Sequence, residues 1–96
     1  MDKRYVVFDR GFATEIVRIN ANRTARIRNE AAGENLAVFD SLEDAKKATL
    51  VIVGRYADQR RPSPGMFSTA PKDNVRDRLS QLSALTEDDI DEYNFL

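Results

Sequence analysis

Two sets of charged side chains are the features of this sequence whose types and spacing could support binding. The first, called the arginine set below, consists of Arg18, Arg23, Arg26 and Arg28. Strand alternation would place Arg26 and Arg28 on one face of a sheet. Guanidinium groups beside an aromatic ring can hold single-stranded nucleic acid, because they neutralise phosphate while the ring stacks on a base. The same arginines also suit the solvated side of a one-faced sheet, and we favour that structural interpretation.

The second set is acidic and lies in residues 86–96, which hold five carboxylates and no cation. Its candidate partner-binding residues are Asp88, Asp89, Asp91 and Glu92. Clustered carboxylates can dock on a basic groove of a partner or imitate a phosphate backbone. Carboxylates at residues 87–89 would also stabilise the first turn of a helix capped by Thr86. Capping explains Asp91 and Glu92 less well.

A third arrangement joins the two sets. The acidic segment could fold back on the arginine set and neutralise it within one molecule, which would argue against nucleic acid binding. The sequence leaves open whether these charges meet internally or face a partner.

Residues 58–70 are predicted to form a linker loop, because Pro62 and Pro64 interrupt regular structure. The loop contains four side chains of types that are common in loop contacts and interfaces: Arg60, Arg61, Met66 and Phe67. Met66 and Phe67 could equally anchor the loop at the edge of the core.

The residue types that are missing argue against catalysis. The 96-residue chain contains no histidine and no cysteine, so it lacks the usual proton carrier near neutral pH, a thiolate nucleophile and the commonest zinc ligands. No glycine-rich phosphate loop is present. We therefore expect a non-enzymatic protein with no cofactor and no metal. The absence of a signal-like or membrane-length apolar run predicts a cytoplasmic location without a membrane partner.

The elements that must position these charges predict one α+β domain over residues 1–96. Residues 4–39 show the two-residue period of half-buried strands, at 5–8, 14–20, 24–28 and 36–39. This pattern predicts an antiparallel sheet of three to four strands, connected as a β-meander. One helix, residues 42–57, is expected to follow a cap at Ser41 and to pack on one face of the sheet.

Residues 50–56 leave one alternative open, because this apolar run also fits a short buried strand. We favour the helix, which would then be apolar on more than one side. The extra side needs a cover, either from the C-terminal segment or from a second copy of the chain. Residues 71–96 are predicted to form a C-terminal helical segment of one or two helices, the second beginning at Thr86.

These observations favour a small protein-binding module, a stoichiometric effector or inhibitor that occupies the surface of an unidentified partner protein. Small accessory proteins of phages and mobile elements have compositions of this kind. One alternative is a nucleic acid-binding module that uses the arginine set. Another is a structural or assembly subunit that forms a homodimer through the extra apolar side of the helix.

Overall fold

The fold is built around a strand whose side chains from Tyr5 to Phe8 are all buried. An apolar run without polar alternation is what a strand covered on both faces requires. The structure, a computed structural model, describes residues 3–59 and 71–95. Its strands and helices, in chain order, are β1 (Lys3–Phe8), β2 (Glu15–Asn20), α1 (Thr24–Glu30), β3 (Leu36–Phe39), α2 (Leu42–Gln59), α3 (Pro71–Ser83) and β4 (Asp91–Glu92). Short 3₁₀ turns lie at Gly11–Ala13, Ala21–Arg23 and Glu87–Asp89.

The four strands form one mixed sheet in the order β3-β1-β2-β4. β1 pairs antiparallel with both β2 and β3, whereas β4 runs parallel to β2. The predicted α+β class is confirmed, and the purely antiparallel meander is wrong. A meander needs a short hairpin between successive strands. Here only β1 and β2 are joined in that way, because the chain crosses β1 through α1 before it forms β3.

The third predicted strand, at residues 24–28, is wrong, because these residues begin the helix α1. Strand and helix periods cannot be separated over so short a segment, since Ile27 and Ala31 are also four residues apart on one helix face. Both are buried in an apolar cluster that contains Phe8. Ala25, which would share a strand face with Ile27, is exposed. Packing against β1 therefore selects the helix.

The helix predicted at residues 42–57 is present as α2 and continues to Gln59. Residues 50–56 are helical, as favoured. The hydroxyl of Ser41 accepts a hydrogen bond of 3.2 Å from the Asp44 N–H. The predicted cap is therefore confirmed, because that bond satisfies one of the free donors at the start of α2.

α2 packs on the sheet face opposite to α1. On this face α2 and the strands form a second apolar cluster. Its buried side chains are Tyr5, Val7, Ile16, Ala45 and Ile90. Alternation along β1 explains the division, because Val6 and Phe8 pack with α1 while Tyr5 and Val7 pack with α2. The expectation of a sheet with one solvated face is therefore wrong.

α3 covers most of the additional apolar side that the sequence predicts for α2. Val53 is fully buried and clusters with Val75 and Leu82 of α3. Val51 remains 52% exposed. The C-terminal segment is therefore the cover for this side, and one apolar side chain is left at the surface of α2.

The prediction of a wholly helical segment at residues 71–96 is wrong in its last part. Thr86 begins a 3₁₀ turn rather than a second helix, and β4 follows directly. Ile90 packs on the α2 side of the sheet and Tyr93 on the α1 side. Residues three apart share a face of a helix but point to opposite faces of an extended chain. Ile90 and Tyr93 can therefore be buried on opposite faces of the sheet only if the backbone between them is extended.

Matched glutamate substitutions should distinguish α1 from a strand over the same residues. Ala31→Glu places a carboxylate in the apolar cluster and should lower the free energy of unfolding by about 2–4 kcal/mol. Ala25→Glu lies on the exposed side of α1 and should change it by less than about 0.5 kcal/mol. Denaturant unfolding followed by circular dichroism measures both variants. Equal destabilisation by the two would contradict the helix.

Candidate functional site

Four exposed carboxylates lie on a short segment that is held at both ends. We call them the acidic strip: Asp88, Asp89, Asp91 and Glu92. The Thr86 N–H donates to Asp89 Oδ2 at 3.0 Å, and the Asp89 N–H donates to the Thr86 hydroxyl, which closes a capping box. Beyond the strip, the Tyr93 N–H donates a hydrogen bond of 2.9 Å to the Arg18 carbonyl. Ile90, which lies between the capping box and Tyr93, is buried. The strip therefore has a defined position on the surface.

Glu87, which precedes the strip, is used inside the molecule. Its carboxylate accepts a hydrogen bond from the Tyr5 hydroxyl and lies 3.7 Å from Arg18 Nη1. Burial raises the pKa of Tyr5, and the hydrogen bond to Glu87 raises it further. Arg18 Nε is buried and has no hydrogen-bond partner among the described residues. Glu87 is therefore the carboxylate that balances the Arg18 guanidinium.

Among the described residues, Glu87 is the carboxylate of the acidic segment that forms an ion pair with the arginine set. Asp88, Asp91 and Glu92 form no ion pair with any cation in residues 3–59 and 71–95. Asp89 is engaged by its own turn through Thr86. Most of the acidic strip is consequently left without an opposite charge in the described part of the chain.

The arginine set is divided between the two faces of the sheet. Arg18 lies on the α2 side of β2, next to Glu87. Arg23 belongs to the 3₁₀ turn before α1, and Arg26 and Arg28 belong to α1 on the opposite side. The predicted arginine-bearing sheet face is wrong, because the residues expected to form its strand are helical.

Arg23 and Arg26 line a groove against the C-terminal segment. Arg26 Cζ lies 4.6 Å and Arg23 Cζ 5.3 Å from the centre of the Phe95 ring, within the range of a cation–π attraction. The groove has a volume of about 420 Å³, and Glu92 of the acidic strip also lines it. Arg26 Nη2 lies 3.8 Å from Glu30 Oε1, so part of the positive charge is balanced. The ring and Glu30 hold the Arg26 guanidinium at the groove.

Phe95 is the residue of this groove that sequence reasoning missed. Tyr93 and Phe95 meet edge to face with ring centres 5.1 Å apart. Their spacing of two residues indicates a shared face in an extended chain. Spacing alone cannot show that α1 brings arginines to that face.

Four of the predicted partner residues cannot be placed. Arg60, Arg61, Met66 and Phe67 lie outside the described residues. Of the predicted linker at 58–70, residues 58 and 59 belong to α2.

Among the described residues, no group of three or more acidic side chains is placed to hold a metal ion. No helix of this part of the chain has both the length and the apolarity needed to cross a membrane.

Comparisons with protein families, curated proteins and solved structures find no match to the chain. The candidate functional surfaces of the described residues are the acidic strip and the groove lined by Arg23 and Arg26, called the arginine groove below.

Alanine substitutions at two neighbouring positions should distinguish Glu87, which stabilises the fold, from the exposed acidic strip. Glu87→Ala removes the partner of Tyr5 and Arg18 and should lower the free energy of unfolding by about 1–3 kcal/mol. Asp88→Ala, one residue away and exposed, should change it by less than about 0.5 kcal/mol. Thermal and denaturant unfolding provide the comparison. If Asp88→Ala destabilises the fold as much as Glu87→Ala, the assignment of Glu87 as the internal residue is wrong.

Proposed function

We propose that this protein is a non-enzymatic protein-binding module, a stoichiometric effector or inhibitor whose acidic strip occupies a basic surface of a partner protein. One contrast carries the proposal. Glu87 has internal partners, whereas Asp88, Asp91 and Glu92 have no cation partner among the described residues. The missing histidine and cysteine support a non-enzymatic role.

The acidic strip is suited to recognition because its backbone is already ordered. Concentrated like charges repel one another, and a cationic partner surface would relieve that repulsion. The capping box and the hydrogen bond to β2 hold the backbone before any partner arrives. Less conformational entropy is then lost on binding than for a flexible acidic segment.

Charge alone does not supply high affinity. An exposed ion pair contributes only about 0.2–1 kcal/mol, so the strip would chiefly raise the association rate and select basic partners. The arginine groove beside it offers Tyr93, Phe95 and Arg26, residue types that are enriched at interfaces. Because Glu92 belongs to both features, we propose that they form one continuous contact surface.

Neutralising the strip should weaken partner binding without unfolding the protein. In the triple variant Asp88→Asn, Asp91→Asn and Glu92→Gln, three exposed charges are removed while side-chain size is kept. The expected loss of affinity is at least about 10-fold, and it should be reduced at high salt, where surface charges are screened. Affinity capture from the native cell with quantitative mass spectrometry identifies the partner, and titration calorimetry then measures its binding.

A control variant with the same change in net charge tests whether position matters. Glu43→Gln, Asp44→Asn and Asp58→Asn neutralise three exposed carboxylates of α2. This variant should keep the partner at an affinity close to that of the wild type. Equal binding by the strip variant and the wild type would contradict the proposal, whereas equal losses in both triple variants would indicate a general charge effect.

Nucleic acid binding is the second candidate, and the groove is the observation that favours it. Two guanidiniums held over an aromatic ring can contact phosphate and bases. This function predicts salt-sensitive binding of a single-stranded oligonucleotide, weakened at least about 10-fold by Arg23→Ala with Arg26→Ala. Fluorescence anisotropy measures that binding. Absence of binding at low salt would remove this candidate and leave the protein-binding proposal intact.

A further inference from the structure

The outer edge of β4 has no strand beside it among the described residues. β4 is the last strand in the order β3-β1-β2-β4 and pairs with β2. The edge continues past Glu92, because the Tyr93 N–H still donates to the Arg18 carbonyl of β2. Tyr93 and Phe95 share one face, as residues two apart do in an extended chain. We call residues 91–95 the β4 edge.

The register with β2 identifies the backbone groups of this edge that face outward. In a parallel ladder, alternate residues of a strand direct their N–H and carbonyl to the same neighbour. Asp91 and Tyr93 are turned toward β2, so Glu92 and Asn94 direct their backbone groups away from it. The Asn94 N–H donates no backbone hydrogen bond within the described part of the chain. A further extended strand could pair with both outward residues.

Charges of opposite sign lie at the two ends of the β4 edge. Asp91 and Glu92 are exposed at one end. At the other end, the Arg23 guanidinium lies 5.3 Å from the centre of the Phe95 ring and forms no ion pair with a described carboxylate. Arg26 lies over the same ring. Three steps of about 3.3 Å separate Glu92 from Phe95, so the charged ends are about 10 Å apart along the strand.

Alternation decides which face of the sheet each charge of the β4 edge occupies. Asp91 pairs with Val17, whose side chain lies in the apolar cluster on the α1 side. Tyr93 shares that face and lines the arginine groove. Glu92 pairs with Arg18 and points to the α2 side. A complementary strand must therefore carry cations at two consecutive positions, one for each face.

We propose that an extended segment of the partner protein adds to the β4 edge as an antiparallel fifth strand. Two consecutive basic residues of the segment lie opposite Glu92 and Asp91. An acidic residue three positions before the first of them lies opposite Phe95, where it reaches Arg23. An apolar residue lies opposite Tyr93 and packs on its ring. This inference rests on the proposed function and names the kind of partner segment that the acidic strip and the arginine groove would recognise.

The charge pattern favours such a segment over other occupants. A second copy of β4 has no basic residue at positions 91–95, so it cannot place one opposite Glu92. A nucleic acid strand along the β4 edge would bring phosphates beside Asp91 and Glu92, and like charges repel. A segment with both signs of charge is attracted at each end, and its backbone can use the outward groups between them.

End-blocked synthetic peptides test this inference on the full chain. The matched probe contains Glu-Thr-Leu-Lys-Arg. The control, Lys-Thr-Glu-Leu-Arg, has the same composition, but its basic ends place a cation beside Arg23 in either strand direction. In titrations followed by amide NMR shifts, the matched probe should bind at least about 10-fold more tightly than the control and should shift the amides of Glu92 and Asn94.

A backbone variant separates strand pairing from charge attraction. Asn94→Pro removes an outward N–H, leaves every carboxylate in place and should weaken binding of the matched probe at least about 5-fold. Proline is tolerated on a strand edge where its nitrogen faces solvent. Asn94→Ala keeps the N–H and should bind the probe like the wild type. Circular dichroism verifies that both variants are folded.

A charge reversal tests the arginine end of the β4 edge. Arg23→Glu should weaken the matched probe at least about 5-fold, because the acidic residue of the probe would then face a carboxylate. A second probe, Lys-Thr-Leu-Lys-Arg, should bind this variant more tightly than it binds the wild type. Absence of that reversal would contradict the proposed register.

The outcomes distinguish this inference from the proposed function. Equal binding of the matched and control probes, or of the matched probe to Asn94→Pro and Asn94→Ala, overturns the added strand. Self-association of the chain that Asn94→Pro abolishes, without binding of the matched probe, makes a second copy the occupant and also overturns it. The proposed function fails separately, if the strip-neutralised triple variant keeps the wild-type affinity for the captured partner.

Discussion

A strand that is buried on both faces needs a cover on each side, and β1 is such a strand. Its side chains from Tyr5 to Phe8 alternate between two apolar clusters. Burying one large apolar side chain contributes about 1.5–3 kcal/mol, a sizeable part of the 5–15 kcal/mol by which domains are stable. α2 covers one face. α1 covers the other face together with Tyr93 and Phe95. The strand order β3-β1-β2 follows, because α1 carries the chain across β1 before β3 forms.

The C-terminal segment belongs to the core as much as to the surface. Ile90 and Tyr93 pack on opposite faces of the sheet, which forces the residues between them into extended backbone. Asp91 and Glu92 then form the edge of the sheet with their side chains exposed. Removing this segment would take away core contacts together with the charges. Substitution of single carboxylates is therefore the informative way to study the acidic strip.

The two edges of the sheet have opposite chemical character. β4 carries two carboxylates, which disfavour pairing with a second β4 and suit a cationic surface. β3 carries no charge.

Elements whose signals are local can be predicted from the sequence. The apolar run at 5–8 predicts β1, and the cap at Ser41 marks the start of α2. The alternation at 14–20 and the run at 36–39 predict β2 and β3. The surface position of the carboxylates of the candidate site can also be predicted from the sequence, because a dense acidic cluster rarely lies in a core.

Tertiary packing distinguishes between patterns that fit two periods and fixes those that depend on distant residues. The alternation at 24–28 suits a strand or a helix, and packing of Ile27 on β1 selects α1. Pairing of residues 91–92 with β2 joins segments far apart in the chain, so no local pattern could show it. The same long-range packing separates Arg18 from the other arginines and gives it Glu87 as partner. Charge sets can be recognised from sequence, but their pairing depends on which faces the fold brings together.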